Sequence, residues 1–167
     1  MVLVDQKYEM SVTSSIKSAL YQHCRLYVEE KINLARQGIS QSQQAASQEG
    51  KSSAGDKFET HRAMMHLELE GFISRLEVAE AMERVLLSIL DTKPHDEVRL
   101  GALVETDRGH YYIAVSAPMM RIGEIDYRCI STEAPLYKAL AGKRADELVE
   151  WRTPLGEEEW IDIVSVL

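Results

Sequence analysis

The sequence predicts an α+β protein in which two long helices are followed by a small sheet domain. Three observations lead to this prediction. Residues 12–90 contain no proline and only four glycines, which is typical of long helices. Apolar residues recur in the same stretch with the spacing of a helix. All four prolines come after residue 93, where apolar and polar residues alternate as they do in strands.

The first helix is predicted to begin near Thr13 or Ser14, because both residue types are good N-caps. Its apolar pattern continues to about residue 39. The pattern then dissolves into Gln, Ser, Ala and Gly up to residue 55. The predicted apolar face comprises Ile16, Leu20, Cys24, Tyr27 or Val28, Ile32, Ala35 and Ile39.

The second helix is predicted from Asp56 to about Leu90, with apolar residues that follow a heptad-like seam. A helix of about 35 residues would extend for about 50 Å. Two long helices in sequence predict an antiparallel coiled-coil hairpin, with its tip at about residues 40–56. Such a hairpin serves either to reach into a partner or to pair two copies of the chain, and the pattern leaves both open. The seam comprises Met65, Leu69, Phe72, Leu76, Ala79, Leu86 and Leu90.

The last third of the chain is predicted to form a curved antiparallel sheet with one short helix. Pro135 is suited to the first turn of that helix, which is expected to end at Leu140 before Gly142. The domains are therefore predicted as a helical hairpin over residues 1–92 and an α+β domain over residues 93–167. The predicted strands are residues 98–105, 111–115, 125–130, 148–152 and 159–164.

Length and charge exclude several classes of protein. A chain of 167 residues holds one domain, or a small domain with an appendage. Lys and Arg number 19 against 27 Asp and Glu, without a basic stripe, which argues against direct binding of free nucleic acid. Neither a membrane span nor a signal peptide is evident, so we expect a cytoplasmic protein with no membrane partner. Cys24 and Cys129 form no CxxC pair and are expected to be reduced thiols.

Asp56 and Glu59 are the candidate functional residues. They are separated by three positions, so both belong to the first turn of the second helix. Two carboxylates can supply part of the oxygen shell of Mg²⁺, which prefers one or two carboxylates together with waters. The same spacing is that of a capping box, and spacing alone favours capping. No cofactor is expected to bind stably.

Several motifs in this sequence resemble the Gre transcript-cleavage factors, the GreA/GreB group of bacterial transcription elongation factors. The second helix of that family opens with Gly-Asp-x-x-Glu-Asn, and here the sequence reads Gly55-Asp56-Lys57-Phe58-Glu59-Thr60. Gly71-Phe72 follows as in the family. The segment 130–143, Ala145-Asp146 and Pro154-Leu155-Gly156 resemble the family's C-terminal motifs. The chain is therefore similar to a divergent GreA/GreB-like factor.

The resemblance implies a coiled-coil hairpin followed by a domain of FKBP-like fold. It also implies that RNA polymerase is the partner and that the hairpin inserts into the secondary channel of the polymerase. There Asp56 and Glu59 would help hold a Mg²⁺ ion that is shared with the polymerase while a backtracked transcript is cleaved. The polymerase supplies the nuclease activity, so the resemblance implies a factor for transcription elongation that is not itself an enzyme.

Two other functions stay open at this point. Thr60, Ala134 and Ala145 depart from the family motifs, as expected of a relative that enters the secondary channel and regulates transcription without promoting cleavage. An FKBP-like domain can also be a peptidyl-prolyl isomerase or a chaperone-type domain, which needs an apolar, aromatic pocket for proline. The aromatic residues available for such a pocket are Tyr111, Tyr112, Tyr127, Tyr137, Trp151 and Trp160.

Overall fold

The structure is a computed structural model that describes residues 2–49, 56–89, 95–153 and 155–167. Within these ranges, the side chains of residues 2–11, 46, 48, 49, 56–59 and 61 are outside the description. Contacts divide the chain into two compact units. Residues 26–84 form one, which we call the hairpin unit. Residues 1–25 and 85–167 form the other, which we call the sheet unit.

Two long helices occupy the first half of the chain, α1 over Val2–Glu49 and α2 over Asp56–Leu87. The start of α2 is as predicted. The start of α1 near Thr13 was a wrong prediction, because Ser and Thr cap helices well but are also tolerated inside them. The predicted tip, at about residues 40–56, includes residues 40–49, which belong to α1. Gln, Ser and Ala lack apolar periodicity, yet all three are compatible with a helix.

The helices of the hairpin unit run antiparallel and share one buried seam. Arg36 of α1 contacts Glu80 of α2 at 3.5 Å, and Phe72 of α2 lies against Gly38 of α1. Residue numbers therefore increase along α1 in the direction in which they decrease along α2. Four of the seam residues are almost completely buried, which confirms the apolar positions predicted for this part of the chain. They are Val28, Ile32 and Ala35 of α1 and Ala79 of α2.

A six-stranded sheet with one short helix forms most of the sheet unit, as the predicted fold class requires. The helix, α3, spans Pro135–Leu140, as predicted. One strand was missed by the sequence pattern, because Pro118 argues against a strand. Proline is tolerated there because that strand, β3, lies at an edge of the sheet. The strands are β1 (Leu103–Thr106), β2 (Gly109–Ala114), β3 (Ala117–Ile122), β4 (Ile125–Ser131), β5 (Leu148–Arg152) and β6 (Glu158–Val166).

The sheet has the strand order β3-β4-β2-β1-β6-β5 and is mixed. Strand β2 pairs parallel to β4, with Tyr112 opposite Cys129, whereas the other pairs of described strands are antiparallel. This corrects the prediction of an antiparallel sheet. The reason is that β3 and β4 form a hairpin in which β4 returns next to β2, so that β2 and β4 run in the same direction.

Both faces of the sheet are covered within the sheet unit. On one face, Leu140 of α3 packs in a cluster with Tyr111 of β2 and neighbouring strand residues. On the other face, Tyr112 lies close to Cys24 of α1 and Cys129 of β4. From the sequence, only one of Tyr111 and Tyr112 needed to be in the core. The structure buries both, because residues of the sheet unit pack against each face of the sheet.

The predicted boundary between domains, at residues 92 and 93, lies outside the described residues and stays a prediction. Among the helices in the described part of the chain, none combines the length and the apolar character that crossing a bilayer requires.

Candidate functional site

The two predicted site residues lie at the end of the hairpin where its helices are joined. Helix α1 ends at Glu49 and α2 begins at Asp56, so that residues 50–55, outside the description, connect them. Asp56 is the first residue of α2 and Glu59 follows in the same turn. Their side chains lie outside the described part of the chain, and their roles as Mg²⁺ ligands stay predictions.

The first turn of a helix is a favourable place for carboxylates. The backbone N–H groups there lack partners within the helix, and the helix dipole adds partial positive charge. Such a position favours negatively charged groups in general, but the same positive potential opposes a bound cation. A donor set of two carboxylates fits Mg²⁺ only when other ligands complete the shell. Among the residues whose side chains are described, no group of three or more His, Cys, Asp or Glu side chains could hold a metal ion.

The next turns of α2 present exposed side chains. Thr60, where the family motif has Asn, is exposed. Met64 and Leu67 follow it and are 64% and 68% exposed, although both are apolar. The part of α2 that comes directly after the candidate site therefore offers apolar surface to a partner, whereas the seam residues further along the helix are covered by α1.

A second feature of the hairpin unit, which the sequence pattern did not reveal, is an apolar groove along one side of the helix pair. We call it the interhelical groove. Its volume is about 340 Å³. Leu34 and Val78 lie in it and are 58% and 59% exposed. The full lining is Lys31, Leu34 and Ala35 of α1 with Phe72, Ser74, Arg75, Val78, Ala79 and Met82 of α2.

Each wall of the groove carries one cationic side chain that lies over an aromatic ring. The Nζ atom of Lys31 lies 4.8 Å from the centroid of the Tyr27 ring. The Cζ atom of Arg75 lies 5.2 Å from the centroid of the Phe72 ring. Both distances are within the range of cation–π attraction, which holds each charge near the groove.

Phe72, which lines the groove, approaches α1 closely at Gly38. A Cβ atom placed on Gly38 would overlap the Phe72 ring, including the ring carbon nearest the backbone. Any larger residue at position 38 would therefore displace the ring that lines the groove. This glycine stands in the middle of a helix, where it costs about 1 kcal/mol relative to alanine, and close packing offsets that cost.

The sheet unit brings together the two cysteines that the sequence separates by more than 100 positions. Both thiols are free and buried. A hydrogen bond with the Cys129 thiol, together with burial, raises the pKa of the Cys24 thiol. Burial also raises the pKa of the neighbouring Tyr112 hydroxyl. The same hydrogen bond lowers the pKa of the Cys129 thiol. Both cysteines are buried between α1 and the sheet, so this cluster contributes packing there.

The aromatic residues that an isomerase pocket would need are mostly in the core. Tyr111, Tyr112 and Tyr127 are each less than 5% exposed, so their rings cannot contact a substrate. Trp160, on β6, is the most open of the aromatic residues named for this pocket, at 55% exposed. The prolyl isomerase alternative stays a prediction that these side chains do not favour.

Comparison with known proteins gives matches among solved structures. No family model matches the chain, and no curated protein matches it. The chain is similar to solved structures of Gfh1. One is a structure of the transcription factor Gfh1, at 18% identity and a TM-score of 0.34, covering 87% of this chain and 92% of that chain.

Two further structures match at a similar level. The GreA factor homolog 1 (Gfh1) protein of Thermus thermophilus is 17% identical, with a TM-score of 0.33, over 84% of this chain and 92% of that chain. Thermus aquaticus Gfh1 is also 17% identical, with a TM-score of 0.34, over 87% of this chain and 94% of that chain.

Proposed function

We propose that this protein is a Gre-like transcription elongation factor of the cytoplasm that binds RNA polymerase. In this proposal the helical hairpin enters the secondary channel, and the joined end of the hairpin reaches the catalytic centre of the polymerase. Asp56 and Glu59 then support Mg²⁺-dependent cleavage of a backtracked transcript. The factor stimulates a nuclease activity that belongs to the polymerase and is not itself an enzyme.

The observation that carries the proposal is the position of Asp56. It is the first residue of α2 in an antiparallel helix pair, and Glu59 lies in the same turn. Both carboxylates are therefore at the joined end of the pair, which is the part of a hairpin that can enter a channel first. The sequence motif around them and the motifs after β4 resemble the Gre family independently of this geometry.

The weak affinity expected of the isolated acids supports a shared metal site. Two carboxylates at a helix N-terminus do not complete a Mg²⁺ shell. In the complex, Asp56 and Glu59 would hold Mg²⁺ together with carboxylates of the polymerase. When bound, Mg²⁺ would supply Lewis-acid activation of water for hydrolysis of the transcript's phosphodiester bond. The net charge of −8 fits a factor that recognises a protein and avoids free nucleic acid.

Transcript cleavage in stalled elongation complexes tests this proposal. Wild-type protein should increase the release of short 3′-terminal RNA products from a backtracked complex, in a Mg²⁺-dependent manner. The variant D56A/E59A should bind the polymerase as the wild type does and lose the stimulation.

The matched control removes two acids from the same helix. Glu70 and Glu77 are exposed and lie further along α2, so E70A/E77A should retain full stimulation. Equal stimulation by D56A/E59A and the wild type would show that the tip acids do not take part.

A second candidate is a regulator that occupies the secondary channel without promoting cleavage. Thr60 favours it, because this exposed residue stands where the family motif has Asn, directly after Glu59. Such a regulator would compete with a GreA-type factor for the polymerase and suppress its cleavage products. Restoring the family residue with Thr60→Asn should then create cleavage activity. If wild-type protein already stimulates cleavage, this alternative is excluded.

A further inference from the structure

We infer that the interhelical groove binds one α-helix of RNA polymerase, and that this helix presents apolar side chains flanked by carboxylates. The inference rests on the proposed function, and it adds a docking surface that is separate from Asp56 and Glu59.

The shape of the groove fits a helix. Two antiparallel helices bury one seam and leave a furrow on each side, and a third helix fills such a furrow in a three-helix arrangement. Here the furrow is lined by the apolar side chains of Leu34 and Val78, both more than half exposed, above the buried Ala35 and Ala79. Exposed leucine and valine at facing positions are the anchors that a helix-in-groove interface uses.

The charges of the groove select the chemistry of the partner helix. The two charged residues in its lining are Lys31 and Arg75, one on each wall. Neither forms an ion pair with any acid whose side chain the structure describes. A partner helix with apolar residues on one face and Asp or Glu at its margins would cover the apolar floor and pair with both cations.

At the level of the groove, the opposite side of the helix pair carries an ion pair. Arg36 and Glu80 are each five residues from Lys31 and Arg75, which places them about 140° around their helices, on the other side of the seam. They contact each other at 3.5 Å, so the cation on that side already has an acidic partner within the hairpin. Arg36 on that side is therefore paired, whereas Lys31 and Arg75 in the groove lining are not paired with any acid in the described part of the chain.

The symmetry of a homodimer disfavours a second copy of the chain as the occupant. A two-fold interface brings the same patch of both copies together. The groove would then meet a groove, and Lys31 and Arg75 of each copy would approach like charges without an acid in the lining to neutralise them. An acidic helix of a different protein meets no such repulsion.

Binding to RNA polymerase core enzyme tests the inference, with fluorescence anisotropy of the labelled full-length protein as the readout. The variant L34E/V78E places carboxylates on the apolar floor and should weaken binding at least tenfold. The variant K31E/R75E should weaken binding by a similar factor and reduce its dependence on salt concentration, because the attraction between charges is lost.

The matched control is L26E/I73E. Leu26 and Ile73 are also exposed apolar residues of the hairpin unit, at 60% and 41%, and neither lines the groove. This variant should bind within twofold of the wild type. All the substituted side chains are exposed, so the helix content and the thermal midpoint of each variant should match the wild type, and circular dichroism measures both.

The outcomes separate this inference from the proposed function. If the wild type binds polymerase and the groove variants bind equally well, the groove inference is wrong and the proposed function stands. If the wild type does not bind polymerase, both are wrong. If the groove variants instead change the mass of the free protein in sedimentation, or lose binding to RNA alone, the occupant is a second copy or RNA, and the inference is overturned.

Discussion

The two units of this chain use apolar residues differently. In the sheet unit, both faces of the sheet are covered, and the core residues Ile113, Leu140, Ile161 and Ile163 are at most 1% exposed. In the hairpin unit a single seam is buried, and several large apolar residues are more than half exposed. Large apolar residues that are more than half exposed occur in both units, since Trp160 and Val164 of the sheet unit are also exposed to that degree. The difference therefore lies in the buried core, which is two-sided in the sheet unit and a single seam in the hairpin unit. In the hairpin unit the exposed residues are Leu26, Leu34, Met64, Leu67 and Val78.

The largest effect on stability is expected from the core of the sheet unit. Ile161→Ala removes a side chain that is 1% exposed, so the free energy of unfolding should fall by about 3–4 kcal/mol, as for other large-to-small core changes. Val164→Ala on the same strand, where the side chain is 51% exposed, should change it by no more than about 0.5 kcal/mol. Urea denaturation measures both. Similar losses for the two variants would contradict the difference in burial.

The next effect concerns two glycines of the hairpin unit. Gly38→Ala forces the Phe72 ring away from α1 and should cost about 1–3 kcal/mol, the usual range for overpacking. Gly71→Ala meets no neighbouring atom within 4 Å and should stabilise the helix by about 1 kcal/mol. Thermal melts followed at 222 nm measure the two changes. A shift in the same direction for both variants would mean that Phe72 does not pack against Gly38.

A pH effect is expected from the buried thiols. In the unfolded chain Cys24 loses its proton above about pH 8.5, whereas the hydrogen bond with Cys129 and burial raise its pKa in the folded state. At Cys24 the folded state then binds more protons, so this thiol makes stability fall as the pH rises above 8.5, by at most about 1.4 kcal/mol per pH unit. The lowered pKa of Cys129 opposes part of this fall. Unfolding from pH 7.5 to 10 should show a shallower fall for Cys24→Ala. Parallel curves would contradict this assignment.

The smallest effect is expected at Glu147 on the surface of the sheet unit. The Lys143 Nζ atom donates to its carboxylate at 3.1 Å, and the Arg144 backbone N–H donates at 2.9 Å. Both hydrogen bonds lower the pKa of Glu147. The contribution of Glu147 to folding stability is therefore present at pH 7 and is lost as the pH falls below about 4, the usual pKa range of a glutamate. Glu147→Gln should reduce the urea midpoint at pH 7 but not at pH 3, whereas Glu150→Gln should change neither.

Local signals in the sequence predicted much of the fold. Asp56 after Gly55 marks the start of α2, and Pro135 marks the start of α3, because both residue types favour helix N-termini. The terminal hairpin follows from two alternating segments around a Pro-Leu-Gly turn. These elements depend on few residues that are close in sequence, and the structure has them at the predicted places.

The remaining features depend on contacts between distant residues. The sequence pattern missed β3 because Pro118 argues against a strand. The strand accommodates this proline because β3 lies at the edge of the sheet. The parallel pairing of β2 and β4 and the meeting of Cys24 with Cys129 both require the topology of the sheet. The contact of Phe72, which lines the interhelical groove, with Gly38 joins residues that are 34 positions apart. For the candidate site, the sequence predicted its place at the start of α2.

The most direct measurement of the central claim is to locate the joined end of the hairpin in the complex with RNA polymerase. Ser47 is exposed near the end of α1, and the native cysteines are buried, so Ser47→Cys can be labelled selectively with a chelated iron that generates hydroxyl radicals. We expect cuts in the polymerase next to the carboxylates that hold its catalytic Mg²⁺, and cuts elsewhere from a label at Leu26→Cys. Cuts from Ser47→Cys that are confined to the outer surface of the polymerase would contradict the central claim.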